Sequence, residues 1–130
     1  MKHILILVTA LTAQPVLAQD TTPQALIEQY SAEAGAAASP ENGQTLFMAT
    51  HSGGKPDTPS CTTCHSADPT KGGQARTGKP IDPLSPTVNA NRFTDTKFVE
   101  KWFGRNCNSV LGRDCSAQEK ADIITWLMSL

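Results

Sequence analysis

Two cysteines and a histidine form the most specific chemical pattern in the chain, the run CTTCH with Cys61, Cys64 and His65. Two intervening residues let one turn of chain bring both sulfurs to one edge of a planar macrocycle, and the next residue then projects its imidazole towards the metal. This spacing is typical of haem c attached through both thiols, with His65 as the proximal iron ligand. We expect a carbonyl within residues 79–86 to accept the spare imidazole N–H.

Two other uses of a CxxC pair fit the sequence less well. Half of a zinc site would need two further ligands, and the remaining cysteines, Cys107 and Cys115, do not repeat the CxxC spacing. A thioredoxin-like redox pair would need a βαβ context, which the pattern of the chain does not show. Haem attachment is therefore the prediction for this motif.

Residues 1–18 have the features of a secretory signal peptide. Lys2 supplies a basic start, the apolar run 4–11 is too short to cross a bilayer, and Val16-Leu17-Ala18 fits the cleavage rule. An uncleaved anchor is the alternative, and Pro15 with the polar stretch after it speaks against that reading. We expect cleavage after Ala18 and a periplasmic protein that does not insert into the membrane afterwards.

The charge balance points to no polyanionic partner. The chain has 11 Lys and Arg against 12 Asp and Glu, and removal of Lys2 with the signal leaves 10 against 12, a net charge of −2. The charges are scattered rather than clustered, so binding to nucleic acid or anionic lipid is not expected. The length favours one domain with a modest core, to which a large apolar cofactor would add.

The predicted fold is all-α, with three main helices, long connections and one covalent haem. Residues 19–38 form an N-terminal extension with a possible short helix at 23–34, and residues 39–130 form the cytochrome domain. Ser39 before Pro40 begins the first main helix, which is expected to run to about residue 50. Thr94 or Asp95 begins the second, which is expected to end near residue 105. A capping box of Ser116 and Glu119 begins the third.

Residues 52–92 hold most of the Gly and Pro of this domain and predict no sheet. So long a loop is unusual unless it wraps something that supplies the missing core, as a haem would. The chain also resembles class I cytochromes c, in which an N-terminal helix with a Gly and an aromatic residue crosses a C-terminal helix. Four residues match that crossing: Gly43, Phe47, Ile123 and Trp126.

The sixth iron ligand is not the methionine that class I electron carriers use, because no methionine follows CTTCH in the connecting loops. Met48 precedes the motif and Met128 lies at the end of the last helix, so both are expected to fill the core. His51 is expected at the surface. From the residues alone, Asn106 would be a helix C-cap, since Gly104 also marks a helix end.

Five segments closely resemble the sphaeroides haem protein family of high-spin cytochromes c: CTTCH, GGKPDTPS before it, RFTD, KWFGRNCNSVLGRD at 101–114, and GRDC. The resemblance covers nearly all of the mature chain. It implies that the oxidised iron takes the side-chain oxygen of the Asn before the first cysteine of a disulfide, here Asn106, with Asn108 as the nearby alternative. Trp102 is expected in the core, and Arg105 is expected to pair with a haem propionate.

The chemistry of such a ligand predicts an unusual redox response. A neutral carboxamide oxygen is a hard, weak donor that suits Fe(III) better than Fe(II), so reduction should release Asn106 and open the iron to O2, NO or CO. Export and the spacing of eight residues also favour a disulfide between Cys107 and Cys115, worth roughly 2 to 3 kcal/mol. The disulfide would hold the segment that carries Asn106.

Three functions remain open at this stage. The first is an electron-transferring, gas-binding haem protein, for which the resemblance implies a dihaem cytochrome c as partner. The second is a simple electron shuttle whose sixth ligand stays bound. The third is a small reductase of oxygen, peroxide or nitrogen oxides. The sequence shows no distal His and no acid–base pair near the expected site, so an enzyme is the least favoured.

Overall fold

Four longer helices and one single-turn helix carry the chain through residues 19–130, the part that this computed structural model describes. The predicted signal peptide lies outside these residues. The elements are α1 (Pro23–Ala34), α2 (Pro40–Met48), α3 (Thr62–His65), β1 (Gly73–Gln74), β2 (Pro80–Ile81), α4 (Thr96–Leu111) and α5 (Ala117–Met128). Among the described helices, none combines the length and the apolar character needed to cross a bilayer.

Side-chain caps start each of the four longer helices. Thr22, Ser39, Asp95 and Ser116 each accept a hydrogen bond from a backbone N–H of the first turn, and Ser116 forms the full capping box with Glu119. These bonds satisfy amides that have no partner inside a helix. The helix starts predicted at Ser39 and Ser116 are confirmed, and of the two candidates Thr94 and Asp95 it is Asp95 that caps α4.

Helix α4 is longer than predicted, and this changes the setting of the candidate ligand. The expected end near residue 105 is wrong: α4 continues through Asn106 and Cys107 to Leu111 and ends at Gly112, whose φ is 72°. A glycine in that left-handed conformation ends a helix without steric cost, whereas Gly104 is an ordinary interior position. Asn106 is therefore part of a rigid helix and not a C-cap.

A short hairpin interrupts the long connection between α3 and α4. Strands β1 and β2 pair antiparallel, with Gly73 opposite Ile81, so the expectation of no sheet in residues 52–92 is wrong at this point. A side chain on Gly73 would overlap the Cys64 carbonyl. The hairpin thus lies directly against the CTTCH turn.

The core has two adjoining clusters. The first joins α1, α4 and α5, through Leu26, Tyr30, Val99, Ala121 and Ile124. The second joins α2 and α5, through Phe47, Ile123, Trp126 and Leu127. Phe93 and Phe103 contact both clusters. The boundary predicted after residue 38 therefore separates two segments that share one core.

The helix crossing expected for a class I cytochrome c fold is present. Gly43 lies so close to α5 that a Cβ there would overlap the Asp122 carbonyl oxygen. The rings of Phe47 and Trp126 are 5.1 Å apart, beside this contact. By contrast, the prediction that Met48 and Met128 fill the core is wrong, because they are 41% and 38% exposed.

Candidate haem site

The CTTCH motif forms the single turn α3, and the residues just before it anchor that turn. Ser60 donates its hydroxyl hydrogen to the Phe47 carbonyl and accepts the Thr62 N–H, each at 3.3 Å. The turn ends at Ser66, which adopts a positive φ of 68°. Neither Cys61 nor Cys64 forms a disulfide. Burial raises the pKa of the Cys61 thiol to about 11, so the thiol is protonated.

His65 is poised as a neutral imidazole. Burial, and to a lesser extent the nearby Arg92 guanidinium, lowers its pKa to about 4. A neutral imidazole is the form that binds metal ions. Its Nε2 lies 3.4 Å from the side-chain nitrogen of Asn106.

The carbonyl expected to accept the other ring nitrogen of His65 is not found. Nδ1 is buried and has no hydrogen-bond partner among the described residues. The expected segment is occupied by other donors: Arg92 Nε binds the Pro83 carbonyl at 2.8 Å and Asn89 Nδ2 binds it at 3.2 Å. Arg92 also donates to the Asp82 carbonyl at 2.6 Å. The carbonyls of residues 82 and 83 therefore bind Arg92 and Asn89 rather than His65.

Asn106 and Asn108 lie two positions apart in α4 and have different surroundings. Asn106 faces His65, and a half-turn of its carboxamide exchanges the oxygen and the nitrogen in that contact. Asn108 is turned away and donates to the Gly104 carbonyl at 2.8 Å and to the Asp114 carboxylate at 2.6 Å. The structure thus brings Asn106, and not Asn108, to His65. The ring of His51 contacts the Leu46 carbonyl at 2.9 Å, away from this pair.

Apolar and aromatic groups surround the His65 ring. Phe47 lies 6.2 Å from it between ring centres. Cys61, Leu84, Phe93 and Phe103 pack against the same cluster as Phe47. These groups provide apolar surface on which a flat macrocycle can pack.

Trp102 lies one helical turn before Asn106. It is 39% exposed, so the prediction that it belongs to the core is wrong. The Arg105 guanidinium stands 5.5 Å from the centre of its ring. The pairing of Arg105 with a propionate stays a prediction.

Cys107 and Cys115 lie at bonding distance, with their Cα atoms 5.5 Å apart. That separation is usual for a disulfide. Sequence reasoning missed a second attachment of α4: Thr58 and Lys55, in the segment leading to CTTCH, hydrogen-bond to Ser109. In the sequence, only the glycines at positions 53, 54 and 112 indicate this attachment.

The donor set fits a covalently attached haem. Two cysteines share one turn with a buried neutral imidazole, and Nε2 of that ring faces the carboxamide of Asn106 from another helix. Within residues 19–130, no group of three or more His, Cys, Asp and Glu side chains could hold a metal ion by itself. The arrangement therefore suits iron carried in a macrocycle better than a bare ion.

Comparison with known proteins places the chain among c-type cytochromes. The family model described as a domain of unknown function, DUF1924, matches residues 33–127. The cytochrome c-type protein SHP of Cereibacter sphaeroides is 59% identical over 122 residues, which cover 94% of this chain and 95% of that protein.

Two solved structures share the fold. Oxidised SHP, described as an oxygen-binding cytochrome c, superposes with a TM-score of 0.83 at 60% identity, covering 85% of this chain and 99% of that one. The solution structure of cytochrome c'' from Methylophilus methylotrophus, reported for its insight into haem-ligand detachment, gives 0.71 at 35% identity and covers 83% and 93%. With these relatives, the chain belongs to the DUF1924 family and, as a haem c protein of the class I cytochrome c fold, to the sphaeroides haem protein group.

Proposed function

We propose that this monohaem c-type cytochrome works in the periplasm, transfers electrons, and binds a diatomic gas when it is reduced. Cys61 and Cys64 attach the haem, His65 is the proximal ligand, and Asn106 is the sixth ligand of the oxidised protein. The observation that carries the proposal is the approach of the Asn106 carboxamide to His65 Nε2 at 3.4 Å. This contact brings the side chains of α3 and α4 together, as binding of one iron by both residues would require.

The haem, when bound, supplies the exchanged electron and a coordination position that can be open or closed. Asn106 closes that position in the oxidised protein, because its neutral oxygen is an adequate ligand for Fe(III). The same oxygen is a poor ligand for the softer Fe(II), so Asn106 leaves on reduction. Among the described residues, His65 is the only hydrogen-bond partner of the Asn106 side chain. No other contact therefore holds the carboxamide in the closed position.

Known relatives support this reading. SHP is described as oxygen-binding, and cytochrome c'' was studied for haem-ligand detachment. In the present chain, a sixth ligand that leaves on reduction would give both ligand detachment and a site for oxygen binding. By the same analogy we propose a dihaem cytochrome c as electron-transfer partner, together with a disulfide between Cys107 and Cys115 and a cleaved signal peptide at residues 1–18.

The test compares Asn106→Ala with Asn108→Ala in the haem-loaded protein. We expect Asn106→Ala to give a five-coordinate or water-bound oxidised spectrum and a raised reduction potential, since a ligand specific to Fe(III) is lost. Asn108→Ala removes the same group two residues away and should leave the oxidised spectrum unchanged. An unaltered spectrum in Asn106→Ala would exclude Asn106 as the ligand.

Carbon monoxide tests the gas-binding half of the proposal. The reduced protein should change its absorption spectrum on addition of CO, because Asn106 no longer occupies the sixth position. A low-spin reduced spectrum that does not respond to CO would instead support a simple electron shuttle with a permanent ligand.

A further inference from the structure

The C-terminal end of α4 is held by the segment that leads to the haem attachment motif. We call residues 53–58 the clamp loop. The Ser109 carbonyl accepts the Lys55 N–H at 2.7 Å and the Thr58 hydroxyl at 3.0 Å, and the Thr58 and Ser109 hydroxyls lie 2.8 Å apart. Carbonyls in the last turn of a helix lack partners inside the helix. The clamp loop supplies partners to the Ser109 carbonyl.

Backbone contact makes this attachment tight. A side chain on Gly54 would overlap the Ser109 carbonyl oxygen, and one on Gly53 would lie against the Leu111 carbonyl. A side chain on Gly112 would overlap the Gly53 carbonyl in turn. The glycines therefore let two stretches of backbone meet with no side chain between them, and the helix end cannot slide along the loop without breaking these contacts.

The clamp loop joins the elements that carry the two proposed iron ligands. Thr58 lies three residues before Cys61, in the segment that leads into the turn ending at His65. Ser109 lies three residues after Asn106, one turn further along α4. Thr58 is 6% exposed, so water does not replace its hydrogen bonds easily. A change in this contact would alter the position of Asn106 relative to His65.

We propose that Thr58 is a positioning residue for the sixth ligand: through Ser109, its hydroxyl holds α4 where the Asn106 carboxamide meets the iron. This rests on the proposed function, in which Asn106 binds the oxidised iron. Thr58 touches neither the haem nor a gas ligand in this role. It sets how strongly Asn106 is retained in the oxidised protein and leaves the reduced protein, from which Asn106 has already departed, largely unaffected.

The test is Thr58→Val, which keeps the shape and removes the hydroxyl. Losing this hydrogen bond should weaken the binding of Asn106 to oxidised iron about fivefold. Because that binding favours the oxidised state, the reduction potential should rise by about 40 mV. The affinity of the reduced protein for CO should stay the same.

Two variants separate positioning from general damage. Thr58→Ser keeps a hydroxyl, so its reduction potential should lie close to that of the wild type. Thr125→Val makes the same chemical change in α5, where the hydroxyl is buried and has no hydrogen-bond partner among the described residues, and should leave the potential unchanged. In an Asn106→Ala background, Thr58→Val should have no further effect on the potential.

The outcomes distinguish the two proposals. If Asn106→Ala raises the potential and Thr58→Val does not, the role of Thr58 is wrong and the ligand assignment stands. If Asn106→Ala leaves both spectrum and potential unchanged, both proposals are wrong. Thr58→Val could also weaken CO binding to the reduced protein by the same factor as it weakens Asn106 binding to oxidised iron. That result would show general disruption of the site and would overturn the role of Thr58.

Discussion

The chemistry of this site depends on Asn106, although a second asparagine, Asn108, lies only two positions away. Asn108 donates its side-chain N–H groups to the Gly104 carbonyl within α4 and to Asp114 beyond the end of that helix. Within residues 19–130, the Asn106 side chain hydrogen-bonds only to His65. A weak ligand must be able to leave, so the residue with fewer competing contacts is the better candidate. Asn106 combines a rigid backbone with a side chain free to turn.

Gly43 is the residue on which the crossing of α2 and α5 depends most directly. Gly43→Ala would place a Cβ on the Asp122 carbonyl oxygen and force the helices apart, at a cost of roughly 1 to 3 kcal/mol or more. Gly104→Ala is the control, because nothing lies within 4 Å of a Cβ there. It should stabilise α4 by about 0.5 to 1 kcal/mol. Urea unfolding of the haem-loaded proteins measures both, and equal effects of the two substitutions would contradict this account.

Residue-level predictions succeeded where the information is local. The CTTCH spacing lies within five consecutive positions and can be read from the chain alone. The Gly43 crossing joins two helices that are far apart in the chain, and the resemblance to class I cytochromes c predicted it. The acceptor predicted for His65 Nδ1 was wrong, because Nδ1 has no hydrogen-bond partner among the described residues and the carbonyls at positions 82 and 83 accept from Arg92 instead. Thr58 was missed because its partner Ser109 lies 51 residues away in the chain.

At the scale of the elements, the start of α5 is the most strongly determined helix terminus. Ser116 and Glu119 exchange hydrogen bonds at 3.2 and 2.8 Å, and Arg113 binds both carboxylate oxygens of Glu119, at 2.8 and 2.7 Å. These contacts join the end of the proposed disulfide segment to the helix that forms the centre of the core. Arg113, together with the backbone N–H and the hydroxyl of Ser116, lowers the pKa of the Glu119 carboxyl.

Glu119→Gln tests this terminus through the pH dependence of stability. A carboxyl whose pKa is lower in the folded protein stabilises the fold above its ordinary pKa of 4.5 and loses that contribution as the pH falls through the lowered value. The substitution should cost about 1 kcal/mol at pH 7 and progressively less below pH 4.5. Denaturant unfolding at several pH values measures this. A cost that does not vary with pH would show that the charge of Glu119 has no role.

A matched control comes from the first turn of α2. Glu41 accepts a hydrogen bond from the Ser39 hydroxyl and is exposed. No Arg pairs with it among the described residues, so Glu41→Gln should change stability by only a few tenths of a kcal/mol.

Helix starts were easier to predict than helix ends. The sequence alone identifies the caps Ser39 and Ser116, and Asp95 as one of two candidates, because a cap depends on residues three positions away. The end of α4 was misplaced by six residues because Gly104 looks like a stop. The true end at Gly112 depends on the clamp loop, which arrives from another part of the chain.

At the scale of the whole molecule, the segment before α2 is part of the structural core. Leu26 and Tyr30 of α1 are 0% and 1% exposed and pack against Ile124 and Val99. The Tyr30 hydroxyl donates to Glu100, which also pairs with Lys120 at 2.7 Å. Burial and the Glu100 carboxylate raise the pKa of Tyr30, so its hydroxyl stays protonated and keeps this bond. The low-complexity residues around α1 gave no sign of this packing.

Leu26→Ala tests whether α1 belongs to the same cooperative unit as the haem site. It removes a fully buried side chain and should cost about 2 to 5 kcal/mol. Leu130→Ala makes the same change at a position that is 39% exposed and should cost far less. Leu26 lies in the cluster away from Phe47 and Cys61, so the oxidised absorption spectrum should be unchanged at 25 °C while the urea midpoint falls.

Unfolding followed by haem absorption and by far-ultraviolet circular dichroism should give one coincident transition. A stability equal to that of the wild type would mean that residues 19–38 are a peripheral extension, whereas a loss of stability seen by circular dichroism alone would mean that α1 unfolds independently of the haem site.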